Sequence, residues 1–186
     1  MPHAAARPAP SPRWRTVTRS TVADLPGIRV ARDLARLGTG PLHERPVVDF
    51  GVDACVAAAR TPDKKWVLVG RWGYATRTFS WEFPGGPMLR GERPEGAAGF
   101  ELARTAGMRA RAWHQLPSHE PLRDALDLSC LVMVADDAQP NADAGREDPF
   151  VPVRLTTDAE MDRPVRDGLV RDAATLAAWA QLRALA

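Results

Sequence analysis

Residues 94–106, PEGAAGFELARTA, read as a helix that cannot stand alone. Pro94 suits the first helical position, where no amide donor is needed, and Gly107 suits the left-handed residue after the last turn. Between them Gly96 and Gly99 each cost about 1 kcal/mol relative to alanine. Such a helix needs tertiary support, and the flanking sequence offers it. VVDFGVDACVAAA (47–59), WVLVGRW (66–72), SWEF (80–83), LDLSCLVMVA (126–135) and FVPVRL (150–155) are short apolar runs that predict strands. Pro84-Gly85-Gly86 predicts a turn after SWEF. A second helix is predicted over 168–185, with Leu169, Leu176, Trp179, Leu182 and Leu185 as its apolar face. Strands with one helix in the middle and one at the end make a mixed α/β fold.

A chain of 186 residues, 45% of them hydrophobic, buries a full core without disulfide staples. Cys55 and Cys130 both lie in apolar runs and are expected as buried free thiols. The net charge is +2, and the basic charge is almost wholly arginine, since Lys64 and Lys65 are the only lysines. The arginines are scattered rather than striped with aromatics, which argues for a solvated surface and against a nucleic-acid partner. No apolar run nears the roughly 18 residues of a membrane span. MPHAAARPAPSPR lacks the continuous apolar stretch of a signal peptide, and a soluble cytoplasmic protein is expected. Residues 1–13 are expected to be a disordered arm and 14–46 a small N-terminal β region, with short strands around Trp14, Val17, Ile28 and Val30. Turns are predicted at Pro26-Gly27 and Gly38-Thr39-Gly40-Pro41, and residues 47–186 form the main domain.

The register of residues 86–108 carries the chemistry. Gly86 is followed by five residues and Glu92, then by seven residues and Phe100-Glu101-Leu102, Arg104-Thr105 and Gly107-Met108. This pattern resembles the Nudix box, in which the positions of Phe100, Arg104 and Thr105 are arginine, glutamate and glutamate. The preceding KKWVLVGRWGYATRTFSWEFPGG is similar to the strand–loop–strand of ADP-ribose pyrophosphatases, with Gly73 where that family has an arginine. VRDGLVRDAATLAAW (165–179) is similar to the same family's closing helix. The resemblance spans roughly residues 47–183 and implies an α/β/α sandwich with a mixed sheet, a homodimer built through the N-terminal β region, and a cleft for an anionic small molecule.

The resemblance also implies roles. Metal ligands would be the Gly85 carbonyl and Glu101, with Glu147 as the late-loop acid, and Glu92 as base or loop-stabilising group. Substrate contacts would fall to Glu82, Arg71 and Trp72. Cleaving a diphosphate requires neutralising several negative charges, commonly with Mg²⁺ on clustered carboxylates. Here Arg104 and Thr105 replace two of them, so Mg²⁺ binding is expected to be weak or absent. Arg104 has two readings: a solvated ion pair with Glu101, or a guanidinium standing in for metal as the positive charge facing an anionic ligand. Phe100 is expected in the core and Thr105 without a special role. His119, beside His114, Glu120 and Asp124, lies on a stretch expected near the cleft mouth. Trp72 and Tyr74 read as core aromatics or as stacking partners of a planar ligand. Two function classes remain: an enzyme descended from nucleoside-diphosphate-sugar hydrolases, with either weakened Mg²⁺-dependent hydrolysis or a different, metal-independent reaction in the same cleft, or a non-catalytic ligand- or partner-binding protein.

Overall fold

The computed structural model describes residues 12–142, 146–147 and 150–185. Most of the expected arm, residues 1–11, lies outside them. In chain order the strands are β1 (Trp14–Leu25), β2 (Ile28–Leu37), β3 (Leu42–Asp49), β4 (Val52–Ala59), β5 (Trp66–Gly73), β6 (Thr78–Glu82), β7 (Gly85–Leu89), β8 (Met108–Arg109), β9 (His114–Gln115), β10 (Leu126–Asp127), β11 (Cys130–Ala135), β12 (Gln139–Pro140) and β13 (Val153–Thr156). The helices are α1 (Pro94–Ala106), α2 (Asp158–Arg166) and α3 (Ala173–Leu185).

The chain divides into two units. The first runs to Phe50 and takes in Asp124–Asp127. It is a sheet in the order β1-β2-β3-β10, with β10 parallel to β3 and the rest antiparallel. Pro26 and Gly27 close the first hairpin, Gly27 taking φ +78°, which a side chain would resist. Instead of short strands, β1 and β2 are long, and their register shifts at two irregularities in β1, between Thr16 and Thr18 and between Thr21 and Ala23. The buried Asp33 accepts two bonds from Arg19, at 2.7 and 2.8 Å, and these hold its carboxyl below the usual range. Trp14, Val17, Val22 and Leu25 of β1 are exposed.

The expected strands at 47–59 and 126–135 are each two strands. Gly51, at φ +68°, breaks the first, so the N-terminal β region extends past residue 46 and ends at Phe50. Leu126–Asp127 pairs in the first unit and Cys130–Ala135 in the second.

The second unit holds a sheet in the order β7-β4-β11-β9 and another in the order β13-β5-β6. β4 and β11 are parallel, whereas β7 and β9 pair with them antiparallel, so the architecture is mixed. Alternation along the strands builds two cores. Cys55, Ala57, Ala59, Val67, Val69 and Met133 pack with Ala97, Ala98 and Leu102 of α1. Their neighbours Val56, Ala58, Trp66, Leu68, Val132 and Val134 pack with Met161 of α2 and with Ala178 and Trp179 of α3. Helices therefore cover both faces of the strands, as an α/β/α sandwich requires. Burying one such large side chain contributes about 1.5–3 kcal/mol, which offsets the two helix glycines.

Three further expectations are corrected. Gly85-Gly86 does not form a turn but starts β7, paired with Val56 and Cys55, because a glycine backbone alone fits there. The helix expected over 168–185 starts at Ala173, and α2 precedes it, announced by the capping box of Thr157 and Glu160. Phe100 is not in the core. It is 63% exposed, on the outer side of α1, with the Arg104 guanidinium 6.0 Å from its ring centre.

Candidate active site

The helix α1 is started by Pro94 and ended by Gly107 at φ +65°, as its sequence requires. Glu101 and Thr105 lie on its buried face. The Glu101 side chain is 4% exposed and sits beside β7, where its carboxylate fills the space that a Cβ on Gly86 would take. Thr105 ties the last turn together, its hydroxyl donating to the Glu101 carbonyl at 2.6 Å.

Two guanidinium groups hold the Glu101 carboxylate. Arg104 donates from Nη2 to Oε2 at 2.6 Å, and Arg71 of β5 places its Nη2 3.7 Å from the same oxygen. Each arginine also reaches further. Arg104 donates from Nη1 to Glu147 Oε2 at 2.8 Å, while the Glu147 amide donates to the Arg104 carbonyl at 2.9 Å. These bonds, first that to Glu101, raise the Arg104 pKa above its ordinary value. Arg71 donates from Nη1 to the Gly85 carbonyl at 3.0 Å and sets its Nε 3.2 Å from Glu82 Oε1. The result is a chain of alternating charge from Glu82 through Arg71, Glu101 and Arg104 to Glu147.

Glu82 ends β6, and its carboxyl is pushed up to about 7. Burial is the main cause, the nearby Asp172 adds to it, and Arg71 opposes it. Asp172 is a residue that sequence reasoning missed. It precedes α3 and accepts from both the amide and the hydroxyl of Thr175 at 2.7 Å, while Thr175 Oγ1 accepts from the Phe83 amide at 3.0 Å. The Asp-Ala-Ala-Thr sequence was a helix-start signal, but nothing local said that this cap faces Glu82.

Among the described residues Arg71 lines at least three cavities. One of about 570 Å³ also holds Trp72, Arg104, Thr105 and Phe150. Another of about 420 Å³ holds Trp72, Glu82, Arg171 and Asp172. The third, about 290 Å³, holds Cys55, Glu82, Gly85, Gly86 and Asp172. Burial raises the Cys55 thiol to about 12, so it is no nucleophile. A different cavity of about 290 Å³ lies by Trp66 and Trp179, where Arg60 is paired with Asp136 at 2.6 Å. It shares no residue with the three that Arg71 lines.

Arg71, Glu82, Gly85, Glu101, Arg104 and Glu147 thus come together. Glu92 does not join them: its carboxylate accepts from the Leu89 amide at 3.0 Å and fastens the loop before α1. His119 pairs through its backbone with Cys130, and its two ring nitrogens are buried without a hydrogen-bond partner among the described residues. Trp72 and Tyr74 are not core residues, being 67% and 97% exposed.

As arranged, the donor set does not fit Mg²⁺. The Gly85 carbonyl is taken by Arg71 and Glu101 by two guanidinium groups. Among the described residues no group of three or more His, Cys, Asp or Glu side chains is placed to hold a metal ion. No described helix is long and apolar enough to cross a membrane.

No family model matches the chain, and no curated protein matches its sequence. Solved structures do. The crystal structure of an ADP compounds hydrolase is similar, with a TM-score of 0.81 at 18% identity, over 95% of this chain and 96% of that one. The fold is a Nudix fold. At that identity the likeness concerns the Nudix backbone, and the chemistry must be argued from the cleft's own side chains.

Proposed function

We propose that the cleft takes an anionic, phosphate-bearing small molecule of the nucleoside-diphosphate-sugar kind, and that Mg²⁺-dependent hydrolysis is weak or absent in it. The observation that carries this reading is the 2.6 Å bond from Arg104 to Glu101. A cation stands on the helix where the Nudix box has a carboxylate, and it claims the one paired-helix glutamate that is kept. Arginine's planar fork suits phosphate oxygens. Glu82, with a pKa of about 7 beside Arg71, is the group able to give or take a proton in a metal-independent reaction. The kinship in fold with an ADP compounds hydrolase supports the ligand class. A homodimer through the N-terminal sheet is also part of this proposal, carried by the sequence's resemblance to ADP-ribose pyrophosphatases and not by the fold comparison.

A second reading, ligand binding without turnover, is favoured by the pairing of Glu101 with two arginines, which leaves it poorly placed to activate water. Incubation with ADP-ribose and Mg²⁺, followed by mass spectrometry, tests the main reading. AMP release near background is expected, because losing ligands that act as one unit costs several powers of ten in rate. AMP release at an ordinary enzymatic turnover contradicts it. Thermal shifts with nucleotides but no product from any of them favour the second reading.

A further inference from the structure

We infer that Arg71 is the resident cation of this cleft, seated among the oxygens that a divalent ion would need. Three elements converge on its guanidinium. The Gly85 carbonyl of β7 lies 3.0 Å from Nη1, Glu82 Oε1 of β6 lies 3.2 Å from Nε, and Glu101 Oε2 of α1 lies 3.7 Å from Nη2. Carbonyl and carboxylate oxygens are the donors that hard cations take. They suit a guanidinium equally, since it carries five donors in one plane and no acceptor.

The seat is built into the fold rather than assembled on the surface. The side chains of Glu101 and Glu82 are 4% and 16% exposed, and a carboxylate held from water needs a counter-charge. Gly86 leaves room for the Glu101 carboxylate that a Cβ would displace. Arg104 approaches Glu101 from its own helix and continues to Glu147, so it does not touch Gly85 or Glu82 in this network. Among the described residues Arg71 alone bridges the three. The assignment rests on the reading above that no divalent ion is needed and goes beyond it, by naming the group that excludes one. A phosphate entering the cleft meets guanidinium edges, so its binding is independent of divalent ions.

Binding of Mn²⁺, followed by electron paramagnetic resonance and by thermal melts, tests this on four forms of the full chain: wild type, Arg71→Lys, Arg71→Met, and Arg71→Met with Glu101→Gln. Wild type and Arg71→Lys are expected to bind at millimolar levels or more weakly. Arg71→Met should bind at least about tenfold more tightly, since it frees the Gly85 carbonyl and Glu82 and leaves Glu101 shared with Arg104 alone. Its melting temperature should rise with Mn²⁺, and adding Glu101→Gln should remove both gains. Folding of Arg71→Met only with Mn²⁺ present also supports the assignment. An Arg71→Met chain unfolded with and without Mn²⁺, or a gain that survives Glu101→Gln, overturns it. Tight Mn²⁺ binding by wild type sinks both this assignment and the reading it rests on. Equally weak binding by wild type and Arg71→Met sinks the assignment of Arg71 alone.

Discussion

Glu82 changes charge near neutral pH, and that has a measurable sign. Its folded pKa of about 7 lies above the ordinary 4.5, so the native state holds the proton more tightly than the unfolded chain. The stability this gives is fully present below about pH 4.5 and is lost as pH rises through about 7. Thermal melts of wild type and Glu82→Gln should therefore diverge between those values, with the variant gaining on wild type as pH rises. Parallel curves would contradict the burial of Glu82. At the other end of the network, Glu147 is 63% exposed and competes with any ligand for Arg104. Glu147→Gln should tighten AMP binding by up to about fivefold, the worth of an exposed ion pair; calorimetry that shows weaker binding speaks against Arg104 as the phosphate contact. The sequence put Arg104 on the helix at the right register, because a helix fixes which residues stand three apart. It could not show Arg71 reaching Gly85, since that contact joins two strands whose pairing partners are set by tertiary packing. Nor could it show Phe100 turned outward, because one apolar residue on a helix fits either face.

At the scale of elements, α1 was legible to the residue: proline at the start and glycine at φ +65° at the end are local signals. The strand runs were legible as hydrophobic blocks, but their breaks at Gly51 and after Asp127 were not, because apolar residues alternate with polar ones on both sides of each break, as they do within a strand. The helix α2 was missed since its mean hydropathy is low and Pro164 lies inside it, although its capping box was readable. The two glycines inside α1 offer a test of how far packing carries this helix. A Cβ on Gly96 or Gly99 meets nothing within 4 Å, and neither has a positive φ. Gly96→Ala and Gly99→Ala should each stabilise the protein by about 0.5–1 kcal/mol, raising its melting temperature. Gly86→Ala should do the opposite, because its Cβ displaces the Glu101 carboxylate from both arginines. A Gly86→Ala protein that melts with wild type would show that the network contributes little.

At the scale of the whole molecule, the proposed homodimer is expected to bury the exposed apolar residues Trp14, Val17, Val22 and Leu25 of β1. Sedimentation should give twice the 20.3 kDa chain mass, and Val17→Asp with Val22→Asp should return it to the monomer value. A monomeric wild type would contradict the dimer. The central claim is that the cleft carries its own cations. Calorimetric titration of ADP-ribose, in EDTA and again in Mg²⁺, tests it most directly when run on wild type and Arg104→Ala. The prediction is one affinity for wild type under both conditions, and a loss of at least about tenfold in Arg104→Ala, as expected when a charge-assisted bond worth about 1.5–3 kcal/mol is removed. Wild-type binding that appears only when Mg²⁺ is added, or an Arg104→Ala protein that binds as tightly as wild type, would contradict it.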